Sequence, residues 1–117
     1  MIQLFEGKDC IAAAFMALKH RLFVSGWRLS GDLKRVRKGH NVENVRIAVA
    51  YDSDTPVGVS LYDHTTGLIQ VFVRKSYRRR GIGRNLVESF KNPKTYGIYG
   101  VNESPCFFRN VGIRYIQ

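Results

Sequence analysis

The chain has 117 residues, 44% hydrophobic and 12% aromatic, which suits one globular domain, residues 1–117, and excludes a disordered tail protein. Nineteen Lys and Arg against nine Asp and Glu give a net charge of +10, so an anionic partner is expected: nucleic acid, an acidic protein or a phosphate-bearing ligand. Two distant cysteines, Cys10 and Cys106, lack the spacing of a zinc site and fit free thiols better than a single disulfide; with no apolar run of membrane-span length and no signal-peptide pattern, a cytoplasmic protein is expected.

In chain order, Ile2 to Phe5 reads as a short first strand, broken at Gly7. Asp9 is placed to cap a helix over Cys10–Phe23. Ile11, Phe15, Leu18 and Leu22 fall on one face of that helix and predict its core stripe. Residues 24–45 carry weaker signals. Leu33 and Val36 anchor a short helix begun by Ser30 or Asp32, surrounded by Arg28, Lys34, Arg35, Arg37, Lys38 and His40. That charge reads as a solvated basic face or as a mobile substrate-facing segment.

Three strands follow. Arg46–Tyr51 alternates Ile47, Val49 and Tyr51, and Val57–Tyr62 alternates Val57, Val59 and Leu61. Leu68–Val73 is almost continuously apolar, as in a strand buried on both faces. The turn clusters Asp52–Pro56 and Asp63–Gly67 separate them and predict an antiparallel meander. Ile82, Leu86 and Phe90 then mark a helix stopped near Pro93. Tyr96–Val101 is a further strand, Ser104 and Pro105 start another helix that ends at Gly112, and Ile113–Ile116 closes the series. The order is β-α-(α)-βββ-α-β-α-β.

The densest chemistry lies between the third strand of the meander and the helix after it. Six of the eleven residues from Arg74 to Arg84 are Arg or Lys, and none is acidic. A glycine-containing loop at a helix N-terminus offers backbone N–H groups without intrahelical partners, and arginines add charge-assisted contacts. The combination predicts a phosphorylated ligand. The P-loop pattern is absent, and Gly81-Ile82-Gly83-Arg84-Asn85-Leu86 fails the dinucleotide fingerprint at its last glycine.

The wider context resembles a known family. Arg78-Arg79-Arg80-Gly81-Ile82-Gly83, after a hydrophobic strand ending at Val73 and before an amphipathic helix, is similar to the coenzyme A signature Arg/Gln-x-x-Gly-x-Gly/Ala of the GNAT superfamily of N-acetyltransferases. Phe107-Phe108-Arg109-Asn110-Val111-Gly112-Ile113 is similar to the family's "FYekxGF" segment. The resemblance implies an α/β (α+β) fold: a mixed, mostly antiparallel sheet of about six strands flanked by three or four helices. It also implies that the final family strand is missing at Gln117, leaving an open edge for a second copy of the chain.

By the same resemblance, acetyl-CoA lies between Leu68–Val73 and Tyr96–Val101. Phe72 and Val73 would offer backbone groups to the pantetheine arm, and the Val73 N–H would face the developing oxyanion. Arg78, Arg79, Arg80, Gly81, Ile82, Gly83 and Arg84 would hold the pyrophosphate. Asn102, Phe108 and the helix beginning near Ser104 would flank the cofactor. The reaction is attack by an amine on the thioester. The family's usual tyrosine acid is replaced by Phe108, and its usual glutamate base falls at Gly67, with Gln70 further on. Substitutes are Ser104, Cys106, Tyr99 or Tyr115 as proton donor, and Asp63, His64 or Glu103 as base.

The resemblance places the acceptor near the loop after the first helix, and the basic residues there favour an acidic macromolecular acceptor, a protein or a nucleic acid such as tRNA, over a small cationic amine. Two other readings stay open: a coenzyme-binding or docking module that has lost catalysis, and a basic nucleic-acid-binding domain, the latter without a recognised motif.

Overall fold

In the computed structural model, which describes residues 1–98 and 105–116, six strands form one sheet whose spatial order follows the chain. They are β1 (Ile2–Glu6), β2 (Val45–Asp52), β3 (Thr55–Asp63), β4 (Leu68–Val73), β5 (Tyr96–Ile98) and β6 (Arg114–Ile116). Strands β1 to β4 pair antiparallel, whereas β4–β5 and β5–β6 pair parallel. The helices are α1 (Asp9–Lys19), α2 (Arg28–Arg37), α3 (Ile82–Glu88) and α4 (Pro105–Asn110), and a 3₁₀ turn covers Lys75–Tyr77. The order and the mixed, mostly antiparallel sheet are those expected from the sequence.

The meander is set by its turns. Only Ser53 and Asp54 join β2 to β3. Between β3 and β4, the Asp63 carboxylate accepts from the N–H groups of Thr65 at 2.9 Å and Thr66 at 3.2 Å, an aspartate-closed turn. Helices cover both faces, so the middle strands are apolar on both sides. One face packs Ile47, Val49, Val59 and Leu61 against α1 and α2. The other packs Ala48, Ala50, Ile69 and Val73 against α3 and α4.

Three expectations are corrected by this packing. Helix α1 buries Cys10, Ala13, Ala14 and Ala17; of the expected stripe, Leu22 is fully buried just past the helix and Leu18 packs against the core, while Phe15 is 55% exposed. Small side chains let α1 lie close to the sheet and α2, and Phe15 turns outward. The helix also ends at Lys19 rather than Phe23, because Arg21 takes a left-handed backbone (φ 56°). Val57 leaves the face of Val59 and Leu61: a register shift pairs Ala50 with Gly58 but Tyr51 with Pro56, and this bulge turns Val57 to the α3 side.

Candidate functional site

The described pairing of the sheet is shortest on one side of β4. Its pairing with β5 covers two positions, Leu68↔Tyr96 and Ile69↔Gly97, and beyond Ile69 it has no partner on that side among the described residues. The direction of its backbone groups follows from its other neighbour. The Arg74 N–H donates to the Val57 carbonyl at 2.8 Å, in register with Val59↔Phe72 and Leu61↔Gln70. In an antiparallel ladder bonded pairs alternate. Phe72 and Gln70 therefore direct N–H and C=O to β3, and Val71 and Val73 present theirs on the open edge.

The edge begins at a close backbone approach. Gly67 has φ +88°, donates to the Asp63 carbonyl at 2.7 Å and accepts from the Tyr96 N–H at 2.9 Å. A Cβ on Gly67 would stand 2.2 Å from the Lys94 carbonyl oxygen. The contact that starts the β4–β5 pairing leaves no room for any side chain at this position.

At its other end β4 runs into the arginine loop. Arg79 (φ 65°) and Gly81 (φ 82°) both take the left-handed region, so the chain coils tightly before α3. The N–H groups of Arg79, Arg80 and Gly81 make no backbone hydrogen bond among the described residues. Such a run of turned, unpaired N–H groups is the backbone form of an anion site.

Side chains brace the loop. The Tyr77 hydroxyl donates to the Asp52 carboxylate at 2.6 Å, and the Arg80 guanidinium lies 5.1 Å from the Tyr77 ring centre. The hydrogen bond to Asp52 pushes the Tyr77 phenol above its usual range. Behind the loop, the Ser60 hydroxyl donates to the Leu86 carbonyl at 3.1 Å and fixes α3 on β3.

The residues singled out from the sequence fall into several settings. Arg79 and Arg80 are exposed. Arg78 folds back, donating from Nε to the Val73 carbonyl at 2.8 Å with its guanidinium 5.7 Å from the Phe72 ring centre. Arg84 reaches the Asn110 carbonyl at 3.1 Å and pairs with Glu88. Ile82 packs into the α3-side core, and a Cβ on Gly83 would meet the Phe107 ring at 2.9 Å.

Phe108 is 2% exposed; its ring fills the space beside Gly97, where a Cβ would approach to 2.5 Å. Its ring belongs to the core on the α3–α4 side. Asp63 closes its turn at the end of β4 away from the loop, and the His64 ring bonds the Glu43 carbonyl at 2.8 Å in the same region. Tyr99, Asn102, Glu103 and Ser104 lie outside the described residues, as do the side chains of Cys106 and Tyr115. Cys10 is a free thiol under α1, and α4, which carries Cys106, packs on the opposite face of the sheet. No helix among the described residues is long and apolar enough to cross a membrane.

One polar pair was not assembled by the sequence reading. Gln70, 4% exposed in the middle of β4, donates from Nε2 to the Asp32 carboxylate on α2 at 2.7 Å. Asp32 also takes Arg28 and Arg35 as ion-pair partners. The signal available was a lone amide inside a strand otherwise apolar on both faces.

Residues 43–112 match the GNAT acetyltransferase domain family. No curated protein sequence matches the chain. Among solved structures, it is similar to the aminoglycoside N-acetyltransferase AAC(6')-Iy in complex with CoA (15% identity, TM-score 0.63, 97% of this chain and 87% of that one). It is similar to AAC(6')-IG from Acinetobacter haemolyticus (12% identity, TM-score 0.59, 97% and 90%). It is also similar to a possible acetyltransferase from Clostridium difficile 630 (17% identity, TM-score 0.52, 100% and 93%).

Proposed function

Because the chain belongs to the GNAT acetyltransferase family, whose members use acetyl-CoA, we propose that it transfers an acetyl group from acetyl-CoA to a primary amine. The observation that carries this reading is the β4 edge, which has no partner after two pairing positions among the described residues and leads into the coiled arginine–glycine loop. These residues fit the cofactor. Backbone groups without a described partner suit an extended amide arm, and unpaired N–H groups with exposed arginines suit a pyrophosphate.

On this reading Arg79, Arg80, Gly81, Ile82, Gly83 and Arg84 hold the pyrophosphate. Val71 and Val73, rather than Phe72 and Val73, pair with the pantetheine arm, because the Phe72 backbone faces β3. Acetyl-CoA supplies the thioester whose carbonyl the amine attacks. The loop follows Val73, so an arm running back along the edge brings its far end to Val71. The oxyanion donor is then the Val71 N–H, one edge position earlier than Val73. Holding both reactants in line is worth about 7–11 kcal/mol when the geometry is good. An alkylamine, with a pKa of about 10.4, sheds its proton to solvent in this scheme.

The reading stops at a primary amine. The surface of α2 carries Lys34, Arg37 and Lys38 exposed, which led to the expectation of an acidic macromolecular acceptor. That preference gains no support from folds similar to this one, several of which are named for aminoglycosides. Titration of the chain with CoA and acetyl-CoA at two salt concentrations, followed by a thiol-release assay over a panel of peptide and small amines, tests the proposal. Binding of one cofactor per chain with turnover of some amine supports it; absence of binding at either salt overturns it.

A second reading, a coenzyme-binding module without turnover, is favoured by Gly67 and Phe108. Neither position can host the family's usual base or acid without disturbing packing. Tight CoA binding with no thiol release over the panel would select it.

A further inference from the structure

Gln70 is buried, yet half of its amide is unused. Its Nε2 donates to Asp32, and nothing among the described residues donates to its Oε1. The orientation is fixed by chemistry. An ionised carboxylate only accepts, so it binds the NH₂ end of the amide and repels the carbonyl end. Asp32 is itself held by Arg28 and Arg35 on the same helix. The pair thus aims one carbonyl oxygen with a defined direction from the middle of β4.

Among the described residues the one enclosed side-chain atom without a partner is Arg74 Nε, so the Gln70 Oε1 keeps contact with solvent and can be reached by a ligand. The side chain also stands on the α1–α2 face and is adjacent in sequence to Val71, whose N–H lies on the open edge.

We propose that Gln70 orients the attacking amine, its Oε1 accepting an N–H of the acceptor while Asp32 acts as the positioning residue that keeps Oε1 turned to the substrate. This rests on the cofactor placement given under the proposed function. An amine held by one N–H keeps its lone pair free to point at the thioester carbon. As the N–C bond forms and the C–S bond breaks, Gln70 takes no proton, since an amide oxygen is a far weaker base than the amine. The released proton goes to solvent, and the leaving thiolate is protonated from solvent.

The test needs no known acceptor. Two thioethers of coenzyme A serve as probes: the S-(N-methylcarbamoylmethyl) derivative, which carries one N–H at the amine position, and the S-(N,N-dimethylcarbamoylmethyl) derivative, which carries none. Their affinities are measured by calorimetry on the full chain, alongside CoA. The native chain is expected to prefer the N–H probe by about tenfold, the scale of one hydrogen bond. Gln70→Met should cut that preference to within about twofold while leaving CoA affinity unchanged. Asp32→Asn should lower it as well, because a neutral amide lets Gln70 turn over.

The bulk of the second methyl group is present in both proteins and cancels in the comparison. A preference that survives Gln70→Met, or no preference in the native chain, overturns the proposal. If CoA and both probes fail to bind the native chain, the cofactor reading itself falls and this inference with it. Should Gln70→Met not fold, the native ratio and Asp32→Asn decide alone: no native preference, or one that Asp32→Asn leaves intact, overturns the proposal.

Discussion

The Arg78 guanidinium donates to the Val73 carbonyl at 2.8 Å, on the edge of β4 that a pantetheine arm would occupy. An arm pairing there must displace it, and the freed guanidinium becomes available to phosphate. The two halves of coenzyme A are therefore expected to respond oppositely to Arg78→Ala. Pantetheine, which lacks the phosphates, should bind more tightly by roughly twofold to tenfold, and CoA should bind more weakly by about tenfold or more. Calorimetric titration with both ligands checks this; parallel changes would show that Arg78 only braces the loop.

The two loop glycines should fail differently. Gly81 has φ +82° and open space around it, so Gly81→Val should strain the loop and weaken CoA binding, with a stability loss of about 1–2 kcal/mol. At Gly83 the obstacle is the Phe107 ring, 2.9 Å from a Cβ. Gly83→Val should push α3 from α4 and lower thermal stability further, by about 1–3 kcal/mol more than Gly81→Val. Thermal melts with and without CoA separate the two.

Restoring the family's usual tyrosine should not restore an acid. Phe108→Tyr puts a hydroxyl beside Gly97 in a site 2% exposed, and burying it there costs about 1–3 kcal/mol. The expected result is a lower melting temperature with no gain in thiol release. A rise in rate would mean that the ring turns its edge to the cofactor when the enzyme is loaded.

Cys10 should be silent toward thiol reagents. Burial pushes its thiol up from 9.0 to about 11, against an unfolded value near the ordinary one. Above pH 9 the unfolded chain loses this proton first. The thiol's contribution to stability is thus complete below about pH 9 and declines as pH rises towards 11. Labelling at pH 8 should be slow in the folded chain and fast in denaturant, and Cys10→Ala should reduce the loss of stability between pH 9 and 11.

Much of the architecture was legible because its signals are local. The turn at Asp63–Gly67, the apolar run of β4 and the left-handed need at Gly81 are written in neighbouring residues. The buried face of α1 was not. Periodicity weighted by size found Leu18 and Leu22 but also Phe15, which is exposed, and missed Cys10, Ala13, Ala14 and Ala17, which the close approach of helix and sheet buries. The shift of Val57 across the sheet depends on a bulge opposite Ala50 and Tyr51, which no single strand announces. The link between Gln70 and Asp32 spans 38 residues and two elements, so only the folded chain brings the amide and the carboxylate together.

The tight passage at Gly67 also bears on descent. A chain that acquired any side chain at this position in one step would drive its Cβ into the Lys94 carbonyl and break the start of the β4–β5 pairing. Any residue larger than glycine here needs an earlier change that moves the 93–95 segment. The two changes must come in that order, so the position is held at glycine by a ratchet made of backbone.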